Sequence, residues 1–364
     1  MSGRSKLHDL IALAQEPSST RRRELLREVT DMFFTGADAA QPAQMALFDH
    51  VMTQLTGEME EEVRAELSGR MADAAHAPRG LLRKLATDTI AVAGPVLARS
   101  TALTDEDLVQ VARTKDQGHL QALSRRVHVP EAVSEVIVER GDDTALDVLL
   151  RNQGAVLSRA AHEAAVDRAE ANPSLHEAVV QRKALPADLL NEMYFVVEAK
   201  LRDQILARNA EMDPAELNAA LEAGRKSIAA RDGALPPDFA EAEKAVKALT
   251  ASGGVSPSAM AGFLRNGETT KFLVALSDMA EIDFHTARRI LDRRELDALA
   301  IVCKAANFDR ALFLTFAVLV LGPEGGAMAR AREYGDLYSE LTRDVANRTI
   351  RFWRMRRSTG DLAA

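Results

Sequence analysis

The chain has 364 residues and a formal charge of −8, from 46 Lys and Arg against 54 Asp and Glu. It is 47% apolar and 27% charged, which excludes a disordered chain and argues against a general nucleic-acid binder. Sixty-three alanines stand beside 16 aromatics; alanine is the best helix former and aromatics favour strands, so an all-α protein is expected rather than a sandwich or barrel.

The first residues, Met1-Ser-Gly-Arg-Ser-Lys-Leu-His, contain no apolar run of signal-peptide length, so secretion is not expected. Further on, three segments align: Pro95-Val-Leu97-Ala-Arg99-Ser100, Gln121-Ala-Leu123-Ser-Arg125-Arg126 and Asp147-Val-Leu149-Leu-Arg151-Asn152. The leucines and the first arginines recur every 26 residues. Val179-Val180-Gln-Arg182 reads as a fourth copy, 31 residues after Arg151, and Leu67-Ser-Gly-Arg70 as a looser earlier one. After each arginine comes an apolar residue and a helix starter: Leu103-Thr104, Val129-Pro130, Val156-Leu157-Ser158 and Leu185-Pro186. Val133, Val136, Ile137 and Arg140 keep helical spacing, Gly141 closes that helix as a C′ residue, and Asp142-Asp143 caps the next. Each unit therefore reads as helix, turn, helix in about 26–31 residues. One pair cannot bury both its faces, whereas stacked neighbours can, so the expected fold is an α-solenoid of HEAT-like helix pairs.

Residues 187–222 are acidic, three Lys and Arg against eight Asp and Glu, and the stripe Tyr194, Val197, Leu201, Ile205 predicts one long helix. Loop signals at Arg231-Asp-Gly-Ala-Leu-Pro236-Pro237 and Thr250-Ala-Ser-Gly253-Gly254-Val-Ser-Pro257 flank one short helical stretch. The expected domains are therefore an N-terminal repeat domain (1–223), a linker with a short helix (224–257) and a C-terminal helical block (258–364). In that block Leu273 to Asp283 lies over Leu299 to Asp309, again 26 residues on. Cys303, the single cysteine, sits in an apolar run and reads as a buried structural thiol. Ala311 to Leu321 is the longest apolar run and, at 11 residues, reads as a buried helix rather than a membrane span.

The C-terminal segment, residues 337–357, places Leu337, Leu341, Val345 and Phe352 on one helical face, with Arg348, Arg351, Arg354, Arg356, Arg357 and Trp353 in its last part. Those arginines suit an acidic partner, an anionic membrane surface or nucleic acid. The plainer account is a docked helix whose basic end favours its dipole. Attraction to the acidic 187–222 segment is a third account.

Catalytic and metal-binding patterns are sparse in the sequence. His162-Glu163-Ala-Ala-Val166 and His176-Glu177-Ala-Val-Val180 each lack the second histidine of a zinc helix and read as helix-surface residues. No glycine-rich phosphate loop or nucleophile elbow occurs, and Gly322-Pro-Glu-Gly325-Gly326 has no adjoining lysine. No cofactor or metal is expected, and no enzyme. The one patterned polar feature is the series Arg99, Arg125, Arg151 and Arg182. It is either a ladder for an acidic ligand or a set of helix-end arginines bonding carbonyls.

The string Ile90-Ala-Val-Ala-Gly-Pro-Val-Leu97-Ala-Arg-Ser100, Leu103-Thr-Asp-Glu-Asp-Leu108, His119-Leu-Gln-Ala-Leu123-Ser-Arg125-Arg126, Val138-Glu-Arg140-Gly141-Asp142 and Leu149-Leu-Arg151-Asn152 resembles the bacterial domain of unknown function numbered 2336. That family is mainly alphaproteobacterial, and the likeness runs from about residue 5 to about residue 350. The family's later copy reads Arg-x-Asp-Leu-Pro, whereas here Ala184 replaces the acid in Arg182-Lys-Ala-Leu-Pro186. The resemblance implies a helical-repeat protein of unassigned role, with a regulatory one as an option, and supplies no catalytic residues. The expected function is a cytoplasmic scaffold or adaptor that binds another protein. The alternatives are a sensor of a nucleotide or other anionic small molecule, and association with a membrane or nucleic acid through the C-terminal arginines.

Overall fold

The computed structural model describes residues 19–36, 42–322 and 327–360, so the N-terminal octapeptide lies outside the described residues. Among the described residues all regular structure is helical, apart from one isolated parallel β-bridge between Val129 and Ala155. No described helix is long and apolar enough to cross a membrane. The chain divides into two compact units, 1–184 and 185–364.

The first unit runs α1 (Ser19–Gly36), α2 (Pro42–Thr56), α3 (Glu61–Met71), α4 (Arg79–Ala86), α5 (Ile90–Arg99), α6 (Asp105–Thr114), α7 (Gln117–Ser124), α8 (Glu131–Arg140), α9 (Asp143–Arg151), α10 (Arg159–Ala171) and α11 (His176–Gln181). Helices pack on their second neighbours: α3, α5, α7, α9 and α11 form one row, and α6, α8 and α10 another. The repeated leucines build the first row's core; Leu97, Leu123 and Leu149 are each fully buried, worth roughly 1.5–3 kcal/mol apiece.

The predicted starters act as such. Thr104 accepts from the Asp107 N–H in a capping box, Asp142 from the Ala145 N–H, and Ser158 from the Ala161 N–H. Gly141 differs from expectation. It is not left-handed (φ −66°). A Cβ there would lie 2.5 Å from the Ile137 carbonyl oxygen, so close approach, not handedness, calls for glycine.

The second unit runs α12 (Ala187–Tyr194), α13 (Ala199–Glu211), α14 (Pro214–Asp232), α15 (Phe239–Ala251), α16 (Pro257–Arg265), α17 (Thr269–Ala280), α18 (Phe284–Asp292), α19 (Leu296–Ala305), α20 (Arg310–Leu321), α21 (Ala327–Glu340), α22 (Arg343–Thr349) and α23 (Arg351–Gly360). Three sequence expectations change here. The long helix over 187–222 is broken after Tyr194 and again at Asp213, where the Asp213 carboxylate caps α14. The linker expected from residue 224 begins inside α14, which continues to Asp232 before the chain turns at Gly233 (φ 69°). The single helix expected over 337–357 is three helices; Thr342 starts α22 by accepting from the Val345 N–H.

The 26-residue step of the second block is visible in the backbone. Ile282 N–H reaches back to the Ser277 carbonyl, and Phe308 N–H to the Cys303 carbonyl. The intervening Glu281 (φ 59°) and Asn307 (φ 62°) are both left-handed. Asp283 and Asp309 then cap the following helices. Cys303 is fully buried, as expected, and burial pushes its thiol pKa well up. The apolar helix α20 is only partly buried, through Phe313, Phe316, Ala317 and Leu321.

Candidate functional site

The arginine series separates into two kinds of residue. Arg126, at the end of α7, donates to the carbonyls of Leu97 (2.6 Å) and Ser100 (2.7 Å) at the end of α5. Asn152, 26 residues on, donates to the carbonyls of Ser124 (2.9 Å) and Arg126 (2.6 Å). Arg182, 30 residues further, donates to the carbonyls of Leu150 (3.2 Å), Asn152 (3.0 Å) and Ala155 (2.5 Å). These side chains satisfy helix-end carbonyls that have no intrahelical partner.

Arg182 is therefore the counterpart of Arg126 and Asn152, not of Arg125 and Arg151. The fourth copy shifts by one residue, which stacking Val179-Val180 on Leu149-Leu150 would have revealed. A parallel set links the second helices: Lys115 bonds the Thr87 carbonyl, Arg140 the Ala112 carbonyl and Arg168 the Gly141 carbonyl.

The arginines of the expected ladder face solvent. Arg99 pairs with Asp73 (2.9 Å), and Arg151 with Asp147 (2.9 Å) and Glu177 (3.2 Å). Arg125 is exposed and has no partner among the described residues. It opens a short loop in which Val127 is 92% exposed. The loop is held from both sides. Arg126 is fixed as above, Val129 N–H donates to the Gly154 carbonyl (3.2 Å), and Val156 N–H to the Val129 carbonyl (3.0 Å). Gly154 is required by this approach, since a Cβ there would lie 1.9 Å from the Val127 carbonyl oxygen.

Much of the basic C-terminal segment is bound internally. Trp353 is buried against Tyr194 (ring centroids 5.5 Å apart) and Phe195 (6.1 Å), so it is not a surface anchor. Arg356 is buried and pairs with Asp232, Glu192 (3.7 Å) and Asp283 (3.6 Å). Burial opposes its charge, but the three carboxylates outweigh burial and raise its pKa. Arg354 donates to the Ala280 carbonyl (3.1 Å), and Arg357 to the Ser277 carbonyl (2.6 Å) and Asp278 (2.7 Å). Arg351 is half-buried and Arg348 is exposed. The Glu192 contact matches the expected attraction to the acidic segment.

The two histidines expected on helix surfaces are buried instead. His162 accepts from the Arg182 Nε–H (3.2 Å), with its Nδ1 facing the Ser158 carbonyl (3.0 Å), and His176 Nε2 faces the Ala169 carbonyl (3.0 Å). They face inward because their helices pack there, and backbone carbonyls are their partners. Among the described residues no cluster of His, Cys, Asp or Glu could hold a metal ion. Of the glycine-rich loop that starts at Gly322, the rest (323–326) lies outside the described residues.

The sequence reading missed a cavity of about 500 Å³ in the second unit. Leu206 of α13, Ala300 and Ile301 of α19, Leu337 of α21, Leu341 just after it and Val345 of α22 give it apolar walls. Leu337, Leu341 and Val345 were read as one stripe, and they do share this wall although a helix break separates them. Arg348 is at its rim. At the base, Arg202 is engaged by Glu295 (2.5 and 3.1 Å), Asp297 (2.8 Å) and the Val197 carbonyl (3.0 Å). Beside it stands Tyr194, 1% exposed, whose hydroxyl has no hydrogen-bond partner among the described residues. Burial first, then Asp297, raises its pKa well above the ordinary value. The signal in the sequence was the coincidence of Tyr194 and Arg202, eight residues apart, with the later apolar stripe, which is readable only once the helices are placed.

No curated protein matches the chain, and no solved structure does. One family model matches residues 92–351, under the description "Uncharacterised protein conserved in bacteria (DUF2336)". The match takes in the second half of the first unit and nearly all of the second, including the loop at Val127 and the cavity at Tyr194, and the chain belongs to this DUF2336 family.

Proposed function

We propose that the chain is a non-enzymatic, cytoplasmic protein whose first unit is a HEAT-like α-solenoid and which acts as a scaffold or regulatory adaptor by binding another protein. Row packing of alternate helices and the repeated carbonyl clamps support the solenoid reading. One observation carries the binding reading: Val127 is 92% exposed on a loop whose backbone is bonded on both sides, next to the unpartnered Arg125. A large apolar side chain held in water by a fixed backbone loses little freedom on binding, which favours recognition. Val156, 42% exposed, extends the same edge. The adjacent cation suits a partner with an apolar contact flanked by an acidic group.

Both side chains are exposed, so changing them leaves the fold intact. The test is affinity capture from the native cell with wild type, Val127→Asp and Arg125→Glu, compared by quantitative mass spectrometry. The reading predicts a partner recovered by wild type and depleted at least fivefold in both variants. Identical recoveries across the three proteins reject it.

A further inference from the structure

We propose that the cavity between α13, α19, α21 and α22 is a binding site for a small amphiphile with a neutral or cationic hydrogen-bonding head. Three observations carry this.

The first is size and lining. About 500 Å³ lies within the roughly 300–1,000 Å³ usual for small-molecule sites, which are mostly apolar with a few placed polar groups. The walls at Leu206, Ile301 and Leu337 fit that description, and Leu337 is 54% exposed, so an apolar surface stands open.

The second is the Tyr194 hydroxyl. A buried hydroxyl with no partner is costly and uncommon, and such a group calls for an explanation. The charged groups that act on this phenol are Asp297, Arg202, Glu295 and Asp203. Tyr194 itself lines the cavity, with three of these groups, Asp297, Arg202 and Asp203, beside it. A ligand head that accepts its proton, or donates to its oxygen, completes it.

The third is charge. Arg202 faces two carboxylates, Glu295 and Asp297, which leaves that base one charge negative. Among the exposed lining residues Asp203 and Glu340 outnumber Arg348. A carboxylate or phosphate head would enter a net negative field, whereas an alcohol, amide or ammonium would not. This argues against the nucleotide or other anionic ligand considered from the sequence.

Trp353, the single tryptophan, has its ring 5.5 Å from that of Tyr194 and supplies a built-in reporter. The experiment titrates the full chain with decanol, decylamine and decanoate below their micelle concentrations. Trp353 emission and calorimetry are followed together. Decanol and decylamine are expected to give saturable one-to-one binding, with decanoate at least tenfold weaker. Tyr194→Phe should weaken decanol binding roughly three- to tenfold, the range for one hydrogen bond, without lowering the melting temperature. Leu337→Asp, at an exposed position that tolerates change, should weaken it at least fivefold. The proposal is overturned if none of the three probes saturates, if decanoate binds as well as decanol, or if both variants bind as wild type does. It is also overturned if only an added amphipathic helical peptide binds, since the groove would then belong to a protein helix.

Discussion

Arg182 places its N–H donors among three backbone carbonyls and the Nε2 of His162, in a spot 1% exposed. An arginine repeated at a fixed step suggests a ligand ladder, yet this one closes helix ends. The sequence could show the recurrence but not the side chain's direction, which depends on a one-residue difference in register. Arg182→Met should therefore destabilise the first unit by roughly 3 kcal/mol, because it strands buried carbonyls. Arg182→Lys should recover little of that, since an ammonium cannot span the three acceptors as a planar fork does. Urea denaturation checks both.

The same contact sets a pH dependence. Burial, and then the charge of Arg182, push the His162 pKa from 6.5 to about 4. Only neutral imidazole can accept the arginine's N–H. Below pH 6.5 the unfolded chain binds a proton that the folded chain refuses, so stability is complete above pH 6.5. It declines as pH falls towards 4, by up to about 3 kcal/mol. His162→Gln should remove that part of the decline. Parallel slopes for wild type and variant between pH 6.5 and 4 would contradict the assignment.

Among the helices of the second unit, the starts were legible and the stops were not. Asp283 and Asp309 are helix starters by residue type alone, and both cap. Glycines with positive φ follow some of these helices, at Gly233, Gly267 and Gly322, but three other stops fall on the left-handed non-glycine residues Glu281, Arg294 and Asn307. A glutamate in that conformation carries a steric cost of roughly 1–2 kcal/mol, so it gives no turn signal to a reader of the sequence. Glu281→Gly should then raise stability by about 1 kcal/mol and Gly267→Ala lower it by a similar amount, both read as shifts in melting temperature.

The C-terminal helix shows the opposite problem. Its arginines were conspicuous, but their partners lie far away in sequence: Arg356 pairs with residues of α12, α14 and the N-cap of α18, and Arg354 and Arg357 bond to α17. Arg356→Met would leave Glu192, Asp232 and Asp283 buried with less compensation, at a cost of about 3–5 kcal/mol. Arg348→Ala, at an exposed position, should change stability by no more than about 0.5 kcal/mol. Equal effects would mean that α23 is held by something other than this cluster.

For the whole chain, composition and the 26-residue step were enough to predict helices throughout, because both are carried by local residue choices. The division into units was harder to read, since it rests on contacts across long stretches of sequence. Glycine and proline cluster between residues 233 and 257 and suggest a linker, yet the compact units divide at 184/185. The reason lies in what α12 to α14 touch. Asn191 and Asn209 exchange two side-chain hydrogen bonds (3.1 and 2.8 Å), Arg202 binds Glu295 and Asp297, and Glu192 and Asp232 bind Arg289 and Arg356. These helices complete the core of the second unit, including the base of the Tyr194 cavity.

Two truncations separate the alternatives. A fragment of residues 185–364 retains all these pairs and should unfold in one cooperative transition, with Trp353 emission shifting to the red as it does so. A fragment of residues 224–364 loses α12, α13 and the first half of α14, and with them Tyr194 and Phe195 beside Trp353, the Glu192 partner of Arg289 and the Arg202 partner of Glu295. It should show red-shifted Trp353 emission and no cooperative transition even without denaturant. A cooperative 224–364 fragment would mean that the loops at 233–257, and not the break at 184/185, mark where one core ends and the next begins.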